Sequence, residues 1–361
     1  MGPVKSVWVD RGDIRKTLVA ERPSRPLQDG EVRVGVDKYG LTSNNVSYAI
    51  SGDMIGYWKY YPAEGDWGQV PVWGMADVIE SKSSEIAKGE RLWGFFPMAN
   101  QAILTVGSVR PDSFMEASTH RKDLPSLYNQ YRRTVGEPKF IGDLEDERCL
   151  YVPLFGTSYI LYDYLIDNEF FGAEQVLIGS VSSKTGFGLA QLIKQDETAK
   201  VDVVGLTSPG NAAFVRDLNC CDRVVAYGDE ERISTGKKSA YVDMSGNSAL
   251  TKTIHMHLGE NVVTSCMVGG THWDARAPVG DLPGATPAFF FTPAQISKRN
   301  QDWGPGVIAQ KANQASFELA KIVSGQVAIE RIEGPEAAAQ LWTDMLDNKV
   351  SPSRGIMVSI R

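Results

Sequence analysis

The sequence predicts an α/β protein, a doubly wound parallel sheet joined to a smaller β-rich domain. Three observations lead there. A chain of 361 residues is longer than one compact core usually fills, so two domains are expected. Beyond about residue 151, short apolar runs alternate with helical stretches of ~10 residues, the pattern of a parallel sheet covered on both faces. Before that point the runs are short, alternate polar with apolar, and are separated by turn formers.

The elements follow in order. Glu31-Val-Arg-Val-Gly-Val36 alternates as a half-buried strand does, and Val78-Ile79, Glu90–Phe95 and Ala102–Val106 read as further strands. Pro, Gly and aromatic residues crowd the stretch from Gly52 to Gly74. Residues 107–148 are charged and rich in turn formers, and are expected to be an excursion on the surface of the β-rich domain. A helix is expected over Tyr159–Phe170. The strands Gln175–Gly179, Val201–Leu206, Arg223–Tyr227, Ala240–Met244 and Asn261–Val268 follow, with helices between them. Helices over Gly306–Val323 and Glu336–Leu346 precede a last alternating run, Arg354–Ile360, expected to return to the β-rich part. The expected boundaries are 1–152 with 288–361 for the β-rich domain and 153–287 for the parallel sheet.

Composition narrows the function. A net charge of −7 and short basic runs argue against a nucleic-acid partner. No apolar stretch approaches the ~20 residues of a membrane span, and the N-terminus lacks the apolar core of a signal peptide. A cytoplasmic protein is expected. Cys149, Cys220, Cys221 and Cys266 form no Cys-x-x-Cys pair, and adjacent Cys220 and Cys221 are poorly placed to bridge, so free thiols are expected. His255 and His257, two apart, do not share a helix face, and no metal site is expected.

The most informative segment is Val176-Leu-Ile-Gly-Ser-Val-Ser-Ser-Lys-Thr-Gly-Phe-Gly-Leu-Ala190. A strand runs through small residues into a helix, which turns backbone N–H groups and the positive helix end toward an anion such as a pyrophosphate. Serines stand where a dinucleotide loop usually has glycines, so Ser180, Ser182, Ser183, Lys184, Thr185 and Gly186 are the candidate contacts. An ordinary strand-to-helix turn uses the same residue types. The next strand ends at Thr207-Ser208 with no Asp or Glu, whereas NAD(H) sites place a carboxylate there for the ribose diol. Thr207, Ser208 and Asn211 do not repel a 2′-phosphate, so NADP(H) is favoured over NAD(H).

On these residues the chain resembles the medium-chain dehydrogenase/reductase superfamily, in its zinc-free quinone oxidoreductase and enoyl reductase branch. It also resembles a subfamily catalogued only as a domain of unknown function. The resemblance covers nearly the whole chain and implies a Rossmann-type sheet with a GroES-like catalytic domain. It implies Tyr227 at the adenosine end, and Thr157, from Pro153-Leu-Phe-Gly-Thr-Ser-Tyr159, beside the nicotinamide amide. Ser245 and Gly246 follow the fourth strand, with Val268 and Gly269 at the end of the fifth. Zinc-dependent members have a cysteine where this chain has Thr42, and a Gly-His-Glu run near Val72–Met75. Both are missing, as is the four-cysteine zinc lobe.

Without a metal, a hydride-transfer site needs protein donors for the developing oxyanion. Asn44, Tyr48 and Tyr57 are the candidate donors. Trp58, Tyr60, Trp67 and His272 are candidate substrate walls, although aromatic residues in a small β-domain more often fill its core. Lys298 and Arg299 read as a solvated helix face. The expected activity is reduction of a carbonyl or activated double bond in a small, fairly apolar substrate by a homodimer. The alternative is a dinucleotide-binding redox sensor or partner-binding module without turnover.

Overall fold

In the computed structural model, which describes residues 2–269 and 280–360, the alternating runs become strands. β1 (Val4–Asp10) pairs antiparallel with β2 (Thr17–Arg22), and the alternation at Glu31–Val36 extends into β3 (Glu31–Leu41). Two helical pieces, α1 (Ser43–Ile50) and the single turn α2 (Gly52–Ile55), lead to β4 (Trp67–Gly68) and β5 (Pro71–Ser81). Then come β6 (Arg91–Pro97), β7 (Gln101–Arg110), β8 (Ser113–Glu116) and β9 (Gln130–Arg133). Strands β3, β5, β6, β9, β8 and β7 pair in that order, and β7 returns to β3. The ring is closed, so none of these strands lacks a neighbour on either side.

Residues 107–148 are therefore not the surface excursion expected from their charges. β8 and β9 complete the ring, and Phe114 stacks on Tyr131 inside it with centroids 5.4 Å apart. Gly94 makes room for that ring, since a β-carbon there would lie 2.4 Å from Tyr131. Two apolar rings in strands of four residues each are too brief a pattern to stand out among the charged neighbours. A single turn, α3 (Lys139–Gly142), closes the segment.

Helix α4 (Glu145–Asp167) begins well before the expected Tyr159 and carries Pro153 inside it. A proline removes one helix hydrogen bond and reads as a boundary in sequence; here the helix runs through it. Beyond α4 the chain alternates strands and helices: β10 (Gln175–Gly179), α5 (Lys184–Gln195), β11 (Asp202–Thr207), α6 (Ala212–Asp217) and β12 (Arg223–Ala226). β13 (Ser239–Asp243), α7 (Ser248–Leu258), β14 (Val262–Met267) and the short β15 (Ala288–Phe289) follow. The six strands are parallel and lie in the order β12-β11-β10-β13-β14-β15. β10 and β13 are buried at every position, as central strands covered on both faces must be. The order reverses between them, and such a switch point opens a crevice at the carboxyl ends of the strands.

Helices α8 (Thr292–Trp303) and α9 (Val307–Val323) belong with this sheet. Ile308 and Ala312 pack on Ile160, and Arg299 pairs with Asp163 at 2.8 Å and Asp167 at 3.0 Å. Arg299 is thus buried, not on the solvated face read from sequence, because two α4 carboxylates compensate its charge. Lys298 does remain half exposed. Residues 288–327, grouped by sequence with the β-rich part, cluster here with the parallel sheet: one unit comprises residues 151–327 and 351–353, the other 1–150, 328–350 and 354–361. The chain finishes with β16 (Ala328–Glu333), α10 (Pro335–Leu346) and β17 (Arg354–Ser359). β17 pairs antiparallel with β3 and parallel with β16. No helix among the described residues is long and apolar enough to cross a membrane.

Candidate functional site

In the parallel-sheet unit the turn from β10 into α5 is built by its own small side chains. Ser180 has φ near +53°, the left-handed region that favours glycine. Its N–H donates to the Tyr227 hydroxyl at 2.9 Å. The Val181 N–H donates to the Leu206 carbonyl at 3.0 Å, and the Ser183 N–H turns back to the Ser180 carbonyl at 2.9 Å. Ser183 caps α5, its Oγ accepting the Gly186 N–H at 3.2 Å. A β-carbon on Gly186 would lie 2.7 Å from the Ser180 carbonyl oxygen, so only glycine lets the helix start this close to the loop.

The expected contact residues divide into two groups. Ser182 and Thr207 are buried and bonded to each other, Thr207 Oγ1 lying 3.0 Å from Ser182 Oγ. With Ser180 and Ser183 they build the loop. Lys184, Thr185, Ser208 and Asn211 are half-buried at its rim. Burial pulls the Lys184 ammonium down to about 8. Burial pushes the Tyr227 phenol up to about 12, outweighing the N–H it accepts.

The ends of β13 and β14 meet at Asp243, which lies within the expected strand Ala240–Met244 and had no role assigned to it from sequence. Its carboxylate accepts the Ser245 N–H at 2.7 Å and the Gly246 N–H at 3.1 Å. Its carbonyl accepts the Val268 and Gly269 N–H groups at 2.9 and 3.2 Å. A β-carbon on Gly269 would come 2.5 Å from the Met244 carbonyl oxygen. An aspartate two residues before Ser-Gly is the signature of such a side-chain turn, and it was available in the sequence. Thr157 is half-buried on α4; the next residue, Ser158, donates to the Thr185 carbonyl at 2.8 Å and so ties that helix to the loop. His272 lies outside the described residues. Among the described residues no group of three or more His, Cys, Asp and Glu side chains is placed to hold a metal ion.

The β-rich unit gathers three of the aromatic candidates, Tyr48, Tyr57 and Tyr60, into one cluster with Trp73 and Tyr128. Tyr48, on α1, has its ring 4.4 Å from that of Tyr57, in the turn 57–59. Trp73 Nε1 donates to the Tyr48 hydroxyl at 3.3 Å, and the Tyr57 hydroxyl lies 2.9 Å from that of Tyr128. Tyr60 donates to the Pro125 carbonyl at 3.1 Å. Desolvation holds the phenols of Tyr48, Tyr57 and Tyr128 above their ordinary range. Asn44 is half-buried on α1, one turn before Tyr48. Trp58 fills a slot made by two glycines, where β-carbons on Gly52 and Gly68 would lie 2.1 and 2.4 Å from its ring. Trp67 is half-buried on β4. Tyr128 escaped sequence reading because it belongs to residues 107–148 and has no motif around it.

A family model described as Protein of unknown function (DUF2855) matches residues 39–351. The chain belongs to this family. A search of curated proteins returns no match. Among solved structures, this DUF2855 chain is similar to CurA from Vibrio vulnificus in complex with NADPH, at 12% identity and a TM-score of 0.60 over 99% of both chains. It is also similar to the yhdH oxidoreductase from Salmonella enterica in complex with NADP, at 13% identity and a TM-score of 0.54 over 99% of this chain and 100% of the other. The quinone oxidoreductase from Coxiella burnetii gives 15% identity and 0.53 over 99% and 100%. At such identities the likeness establishes the fold: a Rossmann-type parallel sheet and a GroES-like β-rich unit, as in the medium-chain dehydrogenase/reductases.

Proposed function

We propose that the chain is a zinc-independent, NADP(H)-dependent oxidoreductase that reduces a small, fairly apolar ketone or enone. The carboxyl edge of the parallel sheet carries this reading. There a strand, a loop of small hydroxylated residues and a capped helix N-terminus meet at a topological switch point, and no carboxylate closes β11. Two of the similar crystal structures are complexes with NADPH and NADP, which supports the same reading.

The residues fit such a group. Gly186 keeps the helix start close to the loop, and Lys184 and Thr185 stand at the rim to hold a pyrophosphate. Ser208 and Asn211 take the 2′-phosphate end and Tyr227 the adenosine, while Thr157, Val268 and Gly269 hold the amide end. When bound, the dinucleotide supplies the hydride. The proton comes from one of two buried phenols, Tyr48 or Tyr57, with Asn44 as the oxyanion donor. Phenols are protonated at neutral pH, the state a donor needs, and burial raises the pKa of these two further. Of the aromatic substrate candidates, half-buried Trp67 suits the role better than Trp58, whose ring is enclosed by glycines.

The four cysteines are free thiols, which supports a reducing compartment such as the cytoplasm. A homodimer formed through β15 would cover a sheet edge flanked by Phe289 and Phe291, 65% and 59% exposed. A second reading, dinucleotide sensing without turnover, is favoured by the engagement of the Tyr57, Tyr60 and Tyr128 hydroxyls with neighbours within their own unit. Steady oxidation of NADPH in the presence of a panel of ketones and enones tests the enzyme reading. Binding of NADPH with no turnover on any of them would favour the sensor.

A further inference from the structure

Consecutive side chains of an extended chain point to opposite faces, which ordinarily keeps adjacent cysteine sulfurs apart. Cys220 and Cys221, between α6 and β12, depart from this: their Sγ atoms approach to 3.8 Å. Both are free, Cys220 buried and Cys221 half-buried. The Cys221 sulfur also sits against the neighbouring strand. A β-carbon on Gly205 of β11 would lie 2.7 Å from Cys221 Sγ and 2.8 Å from Val181 Cγ1. The two side chains share the space that Gly205 leaves open. Val181 belongs to the loop between β10 and α5, where its N–H holds the Leu206 carbonyl. A movement of the sulfur therefore reaches the loop through one side chain.

We propose that Cys220 and Cys221 form a reversible dithiol–disulfide site, oxidised by hydroperoxides, whose state adjusts the β10–α5 loop. The effect on the loop's ligand rests on the dinucleotide reading above; the thiol chemistry does not. The step is balanced. The O–O bond of the hydroperoxide breaks, an S–S bond forms, and the two thiols give up two protons and two electrons. An alcohol and one water leave, or two waters when the oxidant is hydrogen peroxide.

Bond formation closes the sulfurs from 3.8 Å to the ~2.05 Å of a disulfide, which draws the Cys221 sulfur away from Gly205. Adjacent Cα atoms are only ~3.8 Å apart, below the usual disulfide span of ~4.4–6.8 Å. The ring so formed is strained and easily reduced, which suits a switch and disfavours a permanent crosslink. The sulfur contact also prepares the pair for reaction. The S–H donated by Cys221 lowers the Cys220 thiol below its ordinary range, and the thiolate is the reactive form.

The test treats the purified full chain with hydrogen peroxide, maps the cysteines by mass spectrometry after denaturing alkylation, and titrates NADPH in each state. The expected product links Cys220 to Cys221 within one peptide, lighter by two hydrogens and restored by dithiothreitol. Oxidation is expected to change the NADPH dissociation constant about fivefold or more. Cys220→Ser should keep NADPH binding and lose the peroxide response. Sulfinic acid on Cys220 or Cys221 without the link, or disulfides between chains, would overturn the dithiol site. A linked pair with an unchanged dissociation constant would overturn its coupling to the loop. If neither state binds NADPH, the dinucleotide reading fails, while the mass shift still decides the thiol chemistry by itself.

Discussion

The two units hold their candidate residues in opposite ways. At the β10–α5 turn the backbone sets the site: Ser180 is held left-handed, Gly186 is held against a carbonyl, and the serine hydroxyls are used to build the loop itself. In the β-rich unit the candidates are rings that touch one another: the Tyr48 and Tyr57 rings lie 4.4 Å apart, and the Tyr57 hydroxyl lies 2.9 Å from that of Tyr128. A topology that stacks parallel strands places a polar turn at their carboxyl ends whatever the side chains do. An aromatic cluster carries no such constraint, since the same rings can fill a core or wall a ligand. Topology thus sets the loop's place, and a kinetic experiment decides the role of the tyrosines.

The largest expected effect is on that experiment. Tyr57→Phe should lower turnover on an identified substrate by ~10²–10⁴, the range for a lost general acid, with folding and NADPH affinity kept. Tyr48→Phe is the companion variant, and one of the two should show the loss. Normal turnover in both, with a lowered melting temperature, would make the cluster core packing.

Two glycine substitutions separate the regions further. Gly52→Ala forces a methyl group onto the Trp58 ring and should destabilise the protein by ~1–3 kcal/mol in thermal or urea unfolding, with NADPH affinity unchanged. Gly186→Ala meets the Ser180 carbonyl and should weaken NADPH binding by about tenfold, ~1.4 kcal/mol, in a fluorescence titration. If Gly52→Ala were the variant that lost the dinucleotide, the division of roles would be reversed.

Much of this contrast was legible in the sequence. The parallel sheet showed itself because β10, β11, β13 and β14 are continuous apolar runs separated by helices. The β10–α5 loop showed itself because Ser, Gly and Lys cluster between such a strand and a helix. What stayed hidden depends on long-range contacts. Tyr128 joins Tyr57 across 71 residues, and Arg299 finds Asp163 across 136, with no local pattern announcing either pair. Charge and turn formers in residues 107–148 masked Phe114 and Tyr131, whose burial depends on ring closure between β7 and β3.

A smaller effect is expected at Lys184. Burial lowers its ammonium to about 8, so it is charged below that pH and neutral above it. If the charge serves a phosphate, NADPH affinity should be full near pH 6–7 and fall as pH rises through about 8. Lys184→Ala should abolish this dependence at a cost of ~1–3 kcal/mol in binding. A pH profile that is the same in both proteins would remove Lys184 from the site.

On the proposed function, the carboxyl edge of the parallel sheet takes a 2′-phosphorylated dinucleotide, because Thr207, Ser208 and Asn211 stand where a carboxylate would select NAD(H). Parallel titrations of the unmodified protein with NADPH and NADH, read by tryptophan fluorescence, test it most directly. Saturable binding of both is expected, with NADPH tighter by about tenfold or more, ~1.4 kcal/mol. Equal affinities, tighter NADH, or no saturable binding of either would contradict it.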